Sequence, residues 1–179
     1  MRLASWNVNS IKARLDAALN WLDEGQPDVL ALQEIKCVEE AFPRFEFEAK
    51  GYTVLAAGQK SYNGVALVSR LPLEDTLVGL AGDPSDEQAR YVEATVAGVR
   101  IASIYLPNGN PIGTEKFDYK LAWMARLRAR AAELKASGGP VALMGDFNVI
   151  PTPEDCYDPA AWAGDALFQT ETLAEFRAL

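Results

Sequence analysis

Polar side chains follow three apolar runs of this sequence, at the point where each run ends. They are Asn7 and Asn9 after the first run, Glu34 and Lys36 after the second, and Asp146 and Asn148 after the third. Such groups cost free energy at the ends of buried strands unless they meet a charged partner. All three ends offer oxygen ligands and the chain contains no histidine. This combination favours a hard divalent cation and a phosphate over a zinc site or a serine triad.

Hydrolysis of a phosphodiester requires charge neutralisation on the phosphate, proton removal from water and stabilisation of the leaving oxygen. We expect Glu34 to be a ligand of Mg²⁺, which proteins hold through one or two carboxylates. Asp146 is the candidate general base or second ligand. The amides of Asn7 and Asn148 are expected to orient a phosphate or a metal-bound water.

Three further residues are expected to support this site. Lys36 and Asn9 are candidates for orienting it, since Lys36 can hold Glu34 in place or add positive charge. Tyr105 stands at a predicted strand end and can donate a hydrogen bond to a phosphate.

Each of these residues also has a structural interpretation. An aspartate at a strand end is often a turn or cap residue, and Asn7 and Asn9 are compatible with Asx-turns. Tyr105 is equally compatible with a sheet-edge aromatic. The arginines of the second helix, which suggest a basic strip, are also typical of a solvated helix face. They are Arg126, Arg128 and Arg130.

The composition predicts a single domain over residues 1–179, since 179 residues that are 49% apolar can build one sizeable core. The formal net charge of −8 repels a polyanion at long range. Charge alone therefore argues against a nucleic-acid partner, although a local basic strip or a bound metal can override it.

The two cysteines, Cys37 and Cys156, follow no metal or redox spacing and are expected to be reduced thiols. The first residues lead directly into a strand rather than a signal peptide, and every apolar run is too short for a bilayer. We therefore expect a cytoplasmic protein without a membrane partner.

Strand-like and helix-like patterns alternate along the chain. The expected strands are Met1–Asn7, Val29–Gln33, Thr53–Ala57, Val65–Ser69, Thr76–Val78, Tyr91–Val96, Val99–Tyr105 and Val141–Met144. One helix is expected after an N-cap at Ser10, ending before Gln26, and a second from Phe117 to near Ser137. A last helix is expected from a capping box of Thr172 and Glu175. Since the sequence stops in its first turns, it looks cut rather than finished.

Taken together, the motifs resemble the exonuclease III family of AP endonucleases, within the endonuclease/exonuclease/phosphatase superfamily. The matching stretches, in the family's order, are Trp6-Asn7-Val8-Asn9-Ser10-Ile11, Leu32-Gln33-Glu34-Ile35-Lys36, Tyr62-Asn63-Gly64-Val65-Ala66, Gln88-Ala89-Arg90-Tyr91-Val92-Glu93, Tyr105-Leu106-Pro107-Asn108-Gly109 and Gly145-Asp146-Phe147-Asn148-Val149.

The resemblance implies an α/β fold, a four-layer α/β/β/α sandwich of two packed mixed sheets, here incomplete at the C-terminus. It implies a monomeric DNA-repair enzyme with Mg²⁺ or Mn²⁺. Its expected substrate is double-stranded DNA with abasic sites, cut 5′ to the lesion, or with 3′ ends that are degraded.

By the same resemblance, Glu34 is a metal ligand with Asn7 close to the metal, and Asp146 handles the proton of the water or leaving group. Asn148 stabilises the pentavalent phosphate, and Tyr105 is an active-site phenol. Arg90 is expected to touch the DNA backbone. The residues expected near it on the DNA are Tyr62, Asn63 and Asn108.

The sequence departs from the family in one respect. Family members carry a late catalytic aspartate and a Ser-Asp-His motif, and this chain has neither. Asp165, Glu171 and Glu175 do not stand in a context that replaces them. We therefore expect the isolated chain to be nearly inactive, and poorly folded or prone to aggregation, whether it is a portion of a longer enzyme or is itself the product.

Two other functions remain open from the sequence. One is a different phosphoesterase of the superfamily, acting on an inositol phosphate, a sphingomyelin or an RNA tail, although the Gln88–Glu93 and Tyr105–Gly109 stretches favour DNA. The other is a non-catalytic DNA- or partner-binding remnant that keeps the metal-binding half.

Overall fold

The structure, a computed structural model, describes residues Met1–Leu179 and contains eight strands and four α-helices. The strands are β1 (Leu3–Asn7), β2 (Val29–Gln33), β3 (Thr53–Ala57), β4 (Val65–Ser69), β5 (Glu74–Val78), β6 (Tyr91–Val96), β7 (Val99–Tyr105) and β8 (Val141–Asp146). The helices are α1 (Ile11–Gly25), α2 (Arg44–Glu48), α3 (Glu115–Ala136) and α4 (Thr170–Arg177). None of the helices combines the length and apolarity that a membrane span requires.

The strands form two four-stranded mixed sheets, with the orders β1-β2-β4-β3 and β5-β6-β7-β8. In each sheet one pair is parallel, β1 with β2 and β7 with β8, and the other pairs are antiparallel. The two sheets pack through a shared apolar cluster, in which Val29 and Leu67 of the first sheet join Val92 and Ile101 of the second. The expected α/β fold with two packed mixed sheets is confirmed.

The other face of the first sheet is covered by α1. Ala18 and Leu22 of the helix and Leu30 and Leu32 of β2 are buried in one cluster. Because β2 is covered on both faces, all five of its residues are buried, which explains its continuous apolar sequence.

The chain forms two compact units. The first, Met1–Tyr105 with Gly138–Asp146, holds both sheets, and the second comprises Leu106–Ser137 and Phe147–Leu179. Within the second unit α3 packs on α4, with Arg128 in an ion pair to Glu175 at 3.3 Å. A single domain over residues 1–179 stays a prediction.

Two of the helix-end predictions are confirmed. The Ser10 hydroxyl accepts a hydrogen bond from the backbone N–H of Ala13 at 3.4 Å, as an N-cap does. Gln26 closes α1 in the left-handed conformation, with its N–H donated to the Leu22 carbonyl.

The capping box predicted at Thr172 and Glu175 is wrong. The last helix begins at Thr170, and Thr172 is a buried residue inside it whose hydroxyl donates to the Ala166 carbonyl at 2.7 Å. A capping box forms instead earlier, between Thr152 and Asp155. The same four-residue spacing occurs at both places, and only the surrounding fold distinguishes them.

Other differences concern strand and helix bounds. The first strand begins at Leu3 rather than Met1, and β5 begins at Glu74 rather than Thr76. The last strand continues to Asp146 rather than Met144, because the parallel ladder with β7 runs as far as the pair Tyr105 and Asp146. The short helix α2 was not predicted.

Candidate active site

In each sheet of the first unit, parallel pairing brings the polar carboxyl ends of two strands side by side. In the β1–β2 ladder Asn7 stands opposite Gln33, one residue before Glu34. In the β7–β8 ladder Tyr105 stands opposite Asp146. Since the carboxyl ends of parallel strands meet at one edge of a sheet, each ladder presents two adjacent polar groups.

Asn7 joins the two carboxylates of this unit. Its Nδ2 atom donates to Glu34 Oε1 at 2.8 Å and to Asp146 Oδ2 at 2.8 Å, while its Oδ1 accepts from the backbone N–H of Asn9 at 3.1 Å. Both amide hydrogens thus hold carboxylates, and three residues from distant parts of the sequence form one cluster.

Lys36 and Asn9 support Glu34, as the sequence predicts for orienting residues. The Nζ atom of Lys36 lies 2.9 Å from Glu34 Oε2 and also donates to Asn9 Oδ1. The ammonium therefore compensates the carboxylate on the side away from Asn7.

The backbone at this cluster is held in an uncommon conformation. Glu34 and Lys36 have φ values of 53° and 52°, and Asn9 has 42°. Such conformations cost of order 1–3 kcal/mol each and persist where surrounding bonds impose them. Here the Glu34 carbonyl accepts from the N–H of Ser10 at 2.7 Å, and the N–H of Lys36 donates to the Asn63 carbonyl at 2.9 Å.

The pKa of Glu34 is lowered from its ordinary value. Burial is the largest influence and acts to raise it, but hydrogen bonds from Asn7, Lys36 and Tyr105, together with the Lys36 charge, outweigh burial. Glu34 is therefore a carboxylate at neutral pH, the form that a cation binds.

The pKa of Tyr105 is raised well above its ordinary value. Burial contributes most, followed by the charge of Glu34 and the hydrogen bond to it, while Arg90 opposes the shift. Tyr105 is thus a neutral phenol and a hydrogen-bond donor at neutral pH, not a phenolate.

Arg90 is fixed against Tyr105. Its guanidinium lies 4.9 Å from the centre of the Tyr105 ring, and it donates to the Tyr105 carbonyl at 3.2 Å and to Gln88 Oε1 at 2.8 Å. Asn63 donates to the same Gln88 oxygen at 3.2 Å and to Gln59 Oε1 at 3.0 Å. Of the predicted DNA-contacting residues in this unit, Arg90 and Asn63 thus share one network.

Gln59 and Gln88 also belong to this network, although the sequence alone did not indicate them as site residues. Gln59 lies just before the Tyr62-Asn63-Gly64 motif, and Gln88 opens the motif that contains Arg90. The sequence feature that could have indicated them is the position of each glutamine amide at or next to a family motif. Tyr62, three positions after Gln59, has 71% of its surface exposed.

Asn108 and Asn148 belong to the second unit. Asn108 Nδ2 lies 3.5 Å from Asn148 Oδ1, and Asn148 Nδ2 donates to the Leu106 carbonyl at 2.8 Å. Asn148 also has a positive φ of 46°. Its side-chain amide is therefore fixed by the loop that carries Asn108.

Around Asn7 lie the carboxylates of Glu34 and Asp146, oxygen donors of the kind that hard divalent cations bind. No group of three or more His, Cys, Asp and Glu side chains with metal-binding geometry occurs in the structure. Glu34 and Asp146 instead share one amide donor, and Glu34 is ionised. Mg²⁺ retains several waters and needs only one or two protein carboxylates, which this donor set supplies.

Comparison with known proteins identifies the family. The model of the endonuclease/exonuclease/phosphatase family matches residues 4–177. The chain belongs to that family. The resemblance that its motifs indicate, to exonuclease III-type AP endonucleases, is confirmed by similar proteins of those names.

Among curated relatives, the chain is similar to exodeoxyribonuclease III of Haemophilus influenzae, with 32% identity over 160 residues. Among solved structures it is similar to a 3′–5′ exonuclease from Neisseria meningitidis, with a TM-score of 0.96 and 38% identity over 100% of this chain. An AP endonuclease from Archaeoglobus fulgidus gives a TM-score of 0.94 and 35% identity over 99% of this chain.

The chain covers part of each of these proteins. The alignment includes 87% of this chain but 60% of the Haemophilus influenzae protein. It covers 70% of the Neisseria chain and 69% of the Archaeoglobus chain.

Proposed function

We propose that this protein is a metal-dependent DNA phosphodiester hydrolase of exonuclease III type, a 3′–5′ exodeoxyribonuclease and abasic-site endonuclease of base excision repair. The observation that carries the proposal is the Asn7 amide, which joins the carboxylates of Glu34 and Asp146 at 2.8 Å each. Relatives that are named as exodeoxyribonuclease III and AP endonuclease support DNA as the substrate.

The proposed cofactor is Mg²⁺ or Mn²⁺, which Glu34 and Asp146 would hold, with Asn7 and Asn148 as the further site residues that the sequence predicts. When bound, such an ion neutralises charge on the phosphate and stabilises the leaving oxygen. Asn7 keeps the two carboxylates adjacent, and Lys36 holds Glu34 through its other oxygen, at 2.9 Å.

The proposed proton acceptor is Asp146. Its Oδ2 atom accepts from Asn7, so its orientation is fixed before a substrate arrives. A carboxylate held in this way can accept the proton of an attacking water or return it to the leaving oxygen.

Two donors are proposed to bind the phosphate. Tyr105 remains protonated because its pKa is raised, so its hydroxyl can donate to a non-bridging oxygen. The Asn148 amide is proposed, from the family resemblance, to donate to the pentavalent phosphate.

The proposed DNA partner is a duplex with an abasic site or a 3′ end. Its backbone would be contacted by Arg90, with Tyr62, Asn63 and Asn108 nearby. Because the net charge is −8, approach to DNA depends on such local groups. Two free cysteines accord with a reducing cytoplasm, and we propose that the monomer is the active species there.

We infer that catalysis by this chain is weak. It has no histidine, whereas the family resemblance implies a Ser-Asp-His motif. Loss of a general acid or base lowers a rate by about 10²- to 10⁴-fold. The assay therefore needs excess protein over substrate.

The test is single-turnover nicking of a labelled duplex with one abasic site, with Mg²⁺ and with EDTA. Wild type is compared with D146N, E34Q and the matched control E48Q, which changes an exposed glutamate of α2. We expect Mg²⁺-dependent nicking that D146N and E34Q lower by at least about 10²-fold and E48Q leaves unchanged.

Other outcomes would contradict the proposal. Turnover of an inositol phosphate or a sphingomyelin with abasic DNA untouched would indicate another phosphoesterase of the superfamily. DNA binding that needs neither Glu34 nor Asp146, without nicking, would indicate the non-catalytic remnant.

A further inference from the structure

Lys120 of α3 is fully buried, with 0% of its surface exposed. Lysine is among the residues that proteins bury least, because removing an ammonium from water is costly unless partners replace the water. The other lysines of this helix, Lys116 and Lys135, are exposed. Lys120 therefore has a local role that its neighbours lack.

The ammonium of Lys120 binds the main chain of two candidate site residues. Its Nζ atom donates to the Asn148 carbonyl at 2.6 Å and to the Asn108 carbonyl at 3.1 Å. These residues are 40 positions apart in the sequence. One cation thus ties together two loops of the second unit.

The alkyl chain of Lys120 also holds the Asn108 loop. A Cβ atom placed on Gly109 would lie 2.5 Å from Lys120 Cδ, and Gly109 has a φ of +87°. A residue without a side chain therefore lets the loop lie directly on the lysine stem. Both the head and the stem of Lys120 contact this loop.

The side chains of Asn108 and Asn148 also contact each other. Asn148 Oδ1 lies 3.5 Å from Asn108 Nδ2, and Asn148 Nδ2 donates to the Leu106 carbonyl at 2.8 Å. Asn148 holds a φ of 46° in this arrangement. Movement of its carbonyl away from Lys120 would change the direction of its amide.

We infer that Lys120 is a positioning residue, which fixes the Asn148 amide for the phosphate by holding the carbonyls of Asn108 and Asn148. This inference rests on the proposed function for its catalytic consequence. Asn148 is the group proposed to touch the phosphate, and Lys120 acts through it.

The test uses the full chain with K120M, which keeps the stem and removes the cationic donor. The matched control is K116M, an exposed lysine one turn earlier on α3. N148A, K120M/N148A and the donor-retaining K120R complete the set. Single-turnover nicking rates are measured over a range of DNA concentrations, and thermal unfolding is measured for each variant.

We expect K120M to lower the maximal rate by about 10- to 100-fold, the effect of a small misplacement of a reacting group. The half-saturating DNA concentration should change less, and K120R should recover part of the rate. In the N148A background K120M should have little further effect, because residues that act as a unit are not additive. K116M should match wild type.

The inference is overturned if K120M keeps the wild-type rate. It is equally overturned if K120M lowers the rate by the same factor with and without Asn148, since that is the behaviour of a merely structural residue. Should K120M fail to fold, K120R and K120R/N148A are compared in its place. A rate loss of K120R that is the same with and without Asn148 would then overturn the inference.

Side-chain amide signals of ¹⁵N-labelled asparagine separate this inference from the proposed function. Absence of nicking by wild type would contradict the nuclease proposal alone. In that case the positioning role of Lys120 is tested by the chemical shifts of the Asn148 and Asn108 side-chain amides. K120M should change these shifts and K116M should not. Unchanged signals in K120M would overturn the positioning role.

Discussion

Glu34 accepts hydrogen bonds from three side chains, those of Asn7, Lys36 and Tyr105. Burial opposes its charge, yet these donors and the Lys36 ammonium lower its pKa. The free energy that orders the cluster is therefore linked to ionisation of this single carboxyl. Replacing it by a neutral amide removes that linkage while nearly preserving its shape.

The linkage has a definite sign. Because the pKa of folded Glu34 lies below its ordinary value of 4.5, the unfolded chain binds more protons between the two values. The stabilisation is complete above the ordinary value and is lost as pH falls through the folded pKa. We expect the free-energy difference of unfolding between wild type and E34Q to decrease as pH falls from neutral to below 4.5.

Urea unfolding of both proteins across this pH range measures that difference. The E48Q variant is the control, because Glu48 is an exposed residue of α2 outside the cluster. A difference between wild type and E34Q that stays constant, or grows as pH falls, would contradict the role assigned to the carboxylate.

At the scale of secondary structure, β8 delivers Asp146 through a glycine. A Cβ atom on Gly145 would lie 2.0 Å from the Ile104 carbonyl oxygen of β7, and its φ is +149°. The absence of a side chain lets the two parallel strands approach just before Asp146. The register that sets Tyr105 opposite Asp146 depends on this approach.

We therefore expect G145A to destabilise the protein by more than about 2 kcal/mol, since overpacking and backbone strain add. Thermal or urea unfolding measures the change. The control is G139A, where a Cβ would meet no atom within 4 Å and the φ is not positive. Equal stability of G145A and G139A would show that β8 can shift without cost.

Several elements could be predicted from local sequence because their causes are local. Ser10 caps α1 through its own hydroxyl, as expected, and Ala97-Gly98 forms the turn between β6 and β7 with two positive φ values. The strand-end residues Asn7, Glu34 and Asp146 converge as their positions after apolar runs predict.

Other features depend on partners that are distant in sequence. Thr172 has the spacing of a cap, but the nearby Ala166 carbonyl takes its hydroxyl into the interior. Lys120 lies in the Phe117–Leu121 stretch, which resembles the family, but nothing local indicates its burial, which follows from contacts with the Asn108 and Asn148 loops. No local pattern encodes either outcome.

At the scale of the whole molecule, each sheet has outer strands with unpaired edges. By the strand order, β1 ends the first sheet and β8 ends the second. A groove of about 290 Å³ lined by Ala4, Ser5, Trp6, Trp21 and Leu30 lies at β1. Outer strands can pair with other chains, which supports the prediction that the chain is prone to aggregation.

We expect the isolated chain to self-associate with rising concentration, and V141K on β8 to reduce the associated fraction, because an edge lysine opposes strand pairing. Sedimentation velocity measures both. The control is V38K, which changes a valine of similar exposure outside the sheets, 39% against 37%. A monomeric wild-type chain that melts cooperatively would contradict the expectation, as would equal effects of V141K and V38K.

We propose that Asn7, Glu34 and Asp146 form a divalent-metal centre. The most direct measurement is a Mn²⁺ titration followed by electron paramagnetic resonance, with Mg²⁺ as competitor. We expect wild type to bind one ion that Mg²⁺ displaces, E34Q and D146N to weaken binding by at least about 10-fold, and E48Q to match wild type. Mn²⁺ affinity that is equal in wild type, E34Q and D146N would contradict the claim.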